Sequence, residues 1–341
     1  DVYKRQVEGY GGMIMSTWLD RPLTVGGRVI VKTEDGIESR LVCIDRDLLV
    51  IPSLAIHFQR DINKGHTFNP QVDMQPLWGP AGSRTLTDLV AEELGVDTAD
   101  ILDSDLQLVT RQAPTQIGPD GEFFMAPRID DLECAATTLL GFLDAAAETD
   151  SACAPVWAML DNEEVGSSSR MGAQSSYLRD VLDRIVDAIP HSGQAMHRAM
   201  ANSFMLSADN AHAVHPNHPE HTDVNNCTYM NKGVVIKTHA GQKYTSDGMS
   251  VAAARELAAR AGVPLQYFAN RSDKVGGSTL GNLAMAQVSM NCVDIGLPQL
   301  AMHSCYETAG AEDTLSLIKL MQELYSSHFE ETAFGTLSIS K

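Results

Sequence analysis

The chain has 341 residues, 44% of them hydrophobic and 20% charged, enough for about two domains and a substantial core. With 44 Asp+Glu against 25 Lys+Arg the net charge is −19, a surface that repels phosphate backbones and anionic lipid, so neither nucleic acid nor a membrane is expected as a partner. The six cysteines (Cys43, Cys134, Cys153, Cys227, Cys292, Cys305) form no C-x-x-C pair and read as reduced, mostly buried thiols of a cytoplasmic protein.

The opening DVYKRQ reads as adapter-derived sequence and is set aside. Residues 7 to about 60 read as β: MIMSTWLD, GRVIVKT and SRLVCID are short β-prone runs separated by turn signals, which favours an antiparallel sheet or small barrel. SLAIHFQRDINKG starts a helix or an irregular crossing. GPAGSRTLTDLVAEELGV predicts a loop followed by a helix with Leu86, Leu89, Val90 and Leu94 on one face. The chain is divided into a β-rich domain over 1–105 and an α/β domain over 106–341, where apolar runs alternate with helical patterns.

Four places in the second region stand out. APRIDDLECAATTLLGFLDAAAE predicts a turn entering a helix, with Leu132, Ala136, Leu139 and Leu143 at helical spacing and Asp130 and Asp131 at its mouth. APVWAMLDNEEVGS predicts a buried strand followed at once by Glu163 and Glu164. NSFMLSADNAHAVHPN predicts a strand ending at Asp209, with His212 and His215 beyond it. NCVDIGLPQLAMHS predicts a third, ending at His303. Each has an ordinary structural alternative: a helix cap for the Asp pair, a solvated loop for the Glu pair, a turn acid for Asp209, a core histidine for His303. Together they fall at strand ends, where open α/β sheets bind ligands, and carboxylates with imidazole are the donors that hold zinc and related divalent ions. No Lys or Arg cluster accompanies them to neutralise the acids.

RIDDL, DNEEVGS, SADNAHAVHPN, GGSTLG and PQLAMHS, in this order, resemble the M18 aspartyl aminopeptidases, as do VEGYGGMIMSTWLDRPLTVGGRVIVK and IPSLAIHFQRDIN. The resemblance runs from about residue 7 to the C-terminus. It implies an α/β zinc-peptidase-like catalytic domain with a β-rich insertion used for dimerisation. It also implies two divalent ions, usually zinc, and removal of N-terminal Asp or Glu from peptides by a dimer-based, tetrahedral dodecamer. On this resemblance Asp130 bridges both ions, Glu164 and His303 complete one site, Asp209 belongs to the other, and Glu163 is the general base. The family usually has Asp-Asn where this chain has Asp130-Asp131, which leaves open which Asp bridges. Lys237 resembles the lysine that faces the acidic side chain of the substrate. His57 resembles a histidine lent by a neighbouring subunit, Gly277 and Ser278 match a turn of the substrate pocket, and His212 and His215 fall on the substrate side.

The family also has a His-Thr-Asp motif expected about 25 residues upstream of Val7. The chain has no histidine before His57, so it is expected to be N-terminally truncated, with one metal site short of its imidazole. The rival expectations are a related tetrahedral aminopeptidase of neutral specificity and an assembly subunit without catalysis.

Overall fold

The computed structural model describes residues 2–4, 6–146, 153–190 and 193–341. It divides into two units, Asp1–Pro114 with Ser304–Tyr306, and Thr115–His303 with Glu307–Lys341.

The first unit contains β1 (Val2–Lys4), β2 (Leu23–Thr33), β3 (Gly36–Cys43), α1 (Pro70–Asp73), β4 (Leu77–Pro80), α2 (Leu86–Leu94) and β5 (Ile101–Thr110). Strands β3, β2 and β5 form an antiparallel sheet in that order. Val29 and Val31 of β2 point inward at the two-residue period of a strand and pack with Val42, Ile44, Leu89 and Val90. The helix α2 starts where Thr85 and Asp88 cap it reciprocally and ends at Gly95, whose φ of 65° suits glycine. The 105/106 division cuts through β5, whose ladder with β2 runs to Thr110; the unit therefore extends to Pro114. MIMSTWLD is not a strand: Met15–Trp18 forms a 3-10 turn in which the Thr17 hydroxyl donates to the Ile14 carbonyl. SLAIHFQRDINKG is irregular, with one 3-10 turn at Ile62–Lys64. The opening residues set aside in the sequence supply β1, which pairs with β4.

The second unit contains β6 (Thr115–Ile117), β7 (Phe123–Ala126), α3 (Ile129–Ala146), α4 (Tyr177–Asp187), α5 (Ala195–Ala201), β8 (Phe204–Ala208), β9 (Ala211–His212), β10 (Val234–Thr238), α6 (Gly248–Ala261) and β11 (Leu265–Ala269). It continues with α7 (Leu280–Ala284), β12 (Asn291–Gly296), β13 (Pro298–Leu300), β14 (Glu307–Gly310), α8 (Ala311–Tyr325), β15 (His328–Ala333) and β16 (Thr336–Ser340). One sheet has the order β11-β10-β12-β8 and a second the order β6-β7-β14-β13-β9. The parallel pair β8/β12 passes into the parallel pair β9/β13: Asp209 N donates to Ile295 O and Ala211 N to Leu297 O across the bend. Gly296 permits this bend, because a Cβ there would collide with the Asp209 carbonyl. The core joins Val234, Ile236, Val293 and Ile295 of the first sheet to Ala254, Leu257, Leu317 and Leu320 of the helices.

Two expectations about this unit change. The buried face of α3 carries Glu133, Cys134, Thr137, Thr138 and Ala145, while Leu132 and Leu143 are exposed. Cys134 and Ala145 face the α8 residues Leu317, Leu320 and Met321, and this packing sets the helix rotation. APVWAML forms no strand. Its links are to side chains, Trp157 Nε1 donating to Thr138 Oγ1 and Tyr325 Oη to Val156 O, and no sheet pairs with it among the described residues. None of the six cysteines is in a disulfide, and Cys134, Cys292 and Cys305 are buried. No helix of the described residues is long and apolar enough to cross a membrane.

Candidate metal centre

Four segments of the second unit meet at one cluster of acids. Asp130 and Asp131 follow β7 at the mouth of α3, and both lack helical backbone angles (φ −77°, ψ 113° and φ −111°, ψ 19°) across a cis peptide bond. Glu163 and Glu164 open a 3-10 turn. Asp209 lies at the bend after β8, and His303 follows β13. The backbone here is unusual: Arg128, Asn162, Ala301 and His303 all have left-handed φ, between 58° and 66°. Each such non-glycine residue costs on the order of 1–2 kcal/mol, and such residues gather where a site requires the geometry.

His303 Nε2 lies 3.3 Å from Asp130 Oδ2 and 3.3 Å from Glu164 Oε2. Donor atoms of Asp130, Glu164 and His303 all lie within 4.8 Å of one another, and so do those of Asp130, Asp131 and Asp209. Asp130 is common to both groups. The second group contains Asp131, which the sequence reading left unassigned, and no imidazole.

Crowding of carboxylates shapes the electrostatics. Burial, reinforced by Asp130, pushes Glu164 up to about 7 and raises Glu163. Burial also raises Asp209 to about 7, with Lys237 opposing the shift. Asp131 lies well above the usual carboxylate range through burial and through the charges of Asp209 and Asp130, and its buried Oδ1 has no hydrogen-bond partner among the described residues. Acids so placed resist ionisation unless positive charge enters. An orphaned carboxylate oxygen and two sets of converging donors are what a divalent cation requires, so the residues present fit one.

Glu307 braces the cluster, a role the sequence did not reveal. Its Oε2 accepts the Asp130 N–H at 2.9 Å and its Oε1 the His303 N–H at 2.6 Å. It too is raised to about 7 by burial, against the pull of these two bonds.

Lys237, expected to face substrate, is only 2% exposed. Its Nζ donates to the carbonyls of Asp209 (2.9 Å) and Asn210 (3.2 Å), and lies 3.4 Å from Asp209 Oδ2. Burial lowers this ammonium, but Asp209 and Asp294 outweigh it and hold it above its ordinary value. The charge is spent within the protein, on the backbone that carries Asp209.

His212 and His215 line a cavity of about 240 Å³, together with His218, His221, Arg271, Lys274 and Met302. Desolvation and then the Lys237 charge lower His212. Gly277 and Ser278 do not line it. They lie exposed ahead of α7, Ser278 Oγ reaching Asn282 Oδ1 at 3.4 Å. His57 belongs to the first unit, exposed among Leu54, Ile56 and Phe58.

A mixed α/β unit with carboxylates and a histidine converging at the ends of its strands defines a metal-dependent hydrolase of the zinc-peptidase type. The model of the family described as aminopeptidase I zinc metalloprotease (M18) matches residues 1–325, and the chain belongs to this family. A probable M18 family aminopeptidase 2 of Clostridium acetobutylicum is 42% identical over 330 residues, which cover 95% of this chain and 76% of the relative. Among solved structures, the Ape4 and Nbr1 complex is matched with a TM-score of 0.91 and 34% identity, over 95% of this chain and 66% of that one. The S. cerevisiae mApe1 dodecamer is matched with a TM-score of 0.80 and 28% identity, over 95% of this chain and 73% of that one. The chain thus spans about three quarters of the first of these and about two thirds of the second.

Proposed function

We propose that the protein is a metal-dependent aminopeptidase that removes N-terminal Asp or Glu from peptides. The observation that carries the reading is the position of Asp130 in both donor groups, which suits a carboxylate shared by two cations. Glu164 and His303 would hold one with it, and Asp209 and Asp131 the other; the family description favours zinc. When bound, such a pair polarises the scissile carbonyl and makes water acidic enough to be deprotonated near neutral pH.

The chain's own residues supply the rest. Glu163 stands beside Glu164 with its carboxyl raised by burial, which suits a group that takes a proton from the attacking water at Oε and returns it to the leaving amine. Adjacent residues direct their side chains differently, so one Glu can hold a cation while its neighbour handles the proton. Glu307 and Lys237 keep the donors in register through the backbones of Asp130, His303 and Asp209. The cavity beside Met302 carries Lys274 and several histidines in a chain of net charge −19, with Arg271 already paired to Asp273, and Lys274 favours an acidic N-terminal side chain there.

Self-association fits the exposed Leu54, Ile56 and Phe58 around His57, with a dimer-based, tetrahedral dodecamer as the assembly and His57 lent to a neighbouring subunit. Six cysteines outside any disulfide fit the reducing cytoplasm. The test is a panel of Asp-, Glu-, Ala- and Leu-peptides with zinc supplied, repeated on Lys274→Ala. The expected result is an acidic preference of tenfold or more, on the order that one buried charge contact provides, and its reduction in the variant. Equal rates on acidic and neutral peptides would favour neutral specificity. No hydrolysis with metal bound would favour an assembly subunit.

A further inference from the structure

We infer that His218, Glu220 and His221 form a separate surface site for a divalent transition-metal ion such as Zn2+, Ni2+ or Cu2+, on the wall of the cavity that Met302 lines. The three residues lie in the segment HPEH. Pro219–His221 is a single 3-10 turn with His218 as its leading residue. In a 3-10 turn, positions three apart eclipse one another. His218 and His221 therefore stand on one side, with ring centroids 6.0 Å apart, and Glu220 reaches between them. Glu220 Oε1 lies 3.2 Å from His218 Nδ1 and 3.8 Å from His221 Nε2. One donor atom from each of the three lies within 4.8 Å of the others.

Two imidazoles and a carboxylate are a donor set that zinc enzymes use, with positions left for water. Nitrogen-rich donors select transition ions over Mg2+ and Ca2+. The turn is preset: Pro219 fixes its first residue, and the Arg271 guanidinium donates to the Glu220 carbonyl. The positive charge of Arg271 is offset by Asp273, bonded at 2.8 and 2.9 Å. All three donors are more than half exposed, so a cation enters without desolvating an interior. His215 is not counted as a donor, since its Nδ1 already accepts the Asn217 N–H. His218 and His221 line the cavity, so an ion held there presents its open positions to whatever occupies it.

The test is calorimetric titration with Ni2+ on three versions of the 341-residue chain: the wild type, His218→Ala/His221→Ala, and Glu164→Gln. The double variant should lose one equivalent of bound Ni2+, while Glu164→Gln keeps that equivalent and is altered at the buried centre. Outer partners of a bound metal are worth about 10–100-fold in affinity, so losing two direct donors should weaken this equivalent by at least that much. Cu2+ added to zinc-loaded protein should show nitrogen hyperfine coupling in its EPR spectrum, lost in the double variant. If the double variant unfolds, Glu220→Gln is used, with a weakening of at least tenfold expected. Equal uptake and affinity in wild type and His218→Ala/His221→Ala would overturn the inference. So would loss of the same equivalent in Glu164→Gln, which would assign it to the buried centre.

Discussion

Asp130 and His303, far apart in sequence, are tied together by one carboxylate. Glu307 accepts both of their backbone N–H groups, and the two side chains then meet with His303 Nε2 3.3 Å from Asp130 Oδ2. This carboxylate belongs to neither metal group, yet it fixes where two donors begin. Glu307→Gln keeps one acceptor and turns an amide N–H toward a backbone N–H, so one contact becomes repulsive. Zinc affinity should fall about 10–100-fold, as it does when partners behind metal ligands are removed. Competition with a chromophoric chelator measures this, and unchanged affinity in a folded variant would remove Glu307 from the metal centre.

The neighbours Glu163 and Glu164 should fail in different ways. Glu164 Oε2 lies 3.3 Å from His303 Nε2 in a donor group, whereas Glu163 belongs to neither group. Glu163→Gln should retain metal and lose about 10²–10⁴ in kcat, the usual contribution of a general base. Glu164→Gln should lose metal first, with activity partly restored by excess zinc. Metal content and kcat measured on the same preparations decide it. Near-normal turnover in metal-replete Glu163→Gln would sink the assignment.

Much of this site was legible because chemistry and position coincide. Asp209 and His303 follow β8 and β13, where strand-like runs end in polar residues. The helix α2 was legible from Leu86, Leu89, Val90 and Leu94 at helical spacing, and the structure adds the caps Thr85, Asp88 and Gly95. Glu307 was not, because nothing local separates a bracing carboxylate from an ordinary acid at the start of a strand; its meaning lies in contacts with distant backbone. The burial of Lys237 was hidden for the same reason. APVWAML has strand composition, but a strand exists only with a ladder partner, and composition does not say whether one is present. The rotation of α3 escaped because its buried side carries Glu133, Thr137 and Thr138, and an apolar-face rule selects the wrong side.

Asp313 supplies a pH test outside the metal centre. It is fully buried at the start of α8 and accepts the N–H groups of Asn231 and Gly233 at 2.6 and 2.8 Å. Burial nonetheless pushes it up to about 6 from 3.8. The folded state then binds the proton more tightly than the unfolded state, so stability falls as pH rises from about 4 and levels off above about 6. The full swing is about 3 kcal/mol at 1.36 kcal/mol per pH unit. Asp313→Asn should abolish this component, so the wild type should lose more stability than the variant between pH 4 and pH 6.5 in urea titrations. Parallel curves would mean that the backbone bonds keep Asp313 ionised throughout.

Lys237 and Asp209 offer the sharpest discrimination. An ammonium waiting for an acidic substrate should be open to the cavity, but Lys237 is 2% exposed and bonded to two carbonyls and to Asp209. Lys237→Met keeps the length of the side chain and removes the charge, leaving those carbonyls and the Asp209 carboxylate uncompensated. Breaking a buried ion pair from one side typically costs about 3–5 kcal/mol, so the midpoint of urea unfolding should fall accordingly. Asp209, whose rise this ammonium opposes, should become still harder to ionise, and its cation should bind more weakly. Both effects act before any substrate is chosen. Matched Asp- and Ala-peptides should therefore lose kcat/KM by the same factor, with the preference for acid retained through Lys274. A loss confined to Asp-peptides, with stability intact, would return Lys237 to the role of substrate counter-charge.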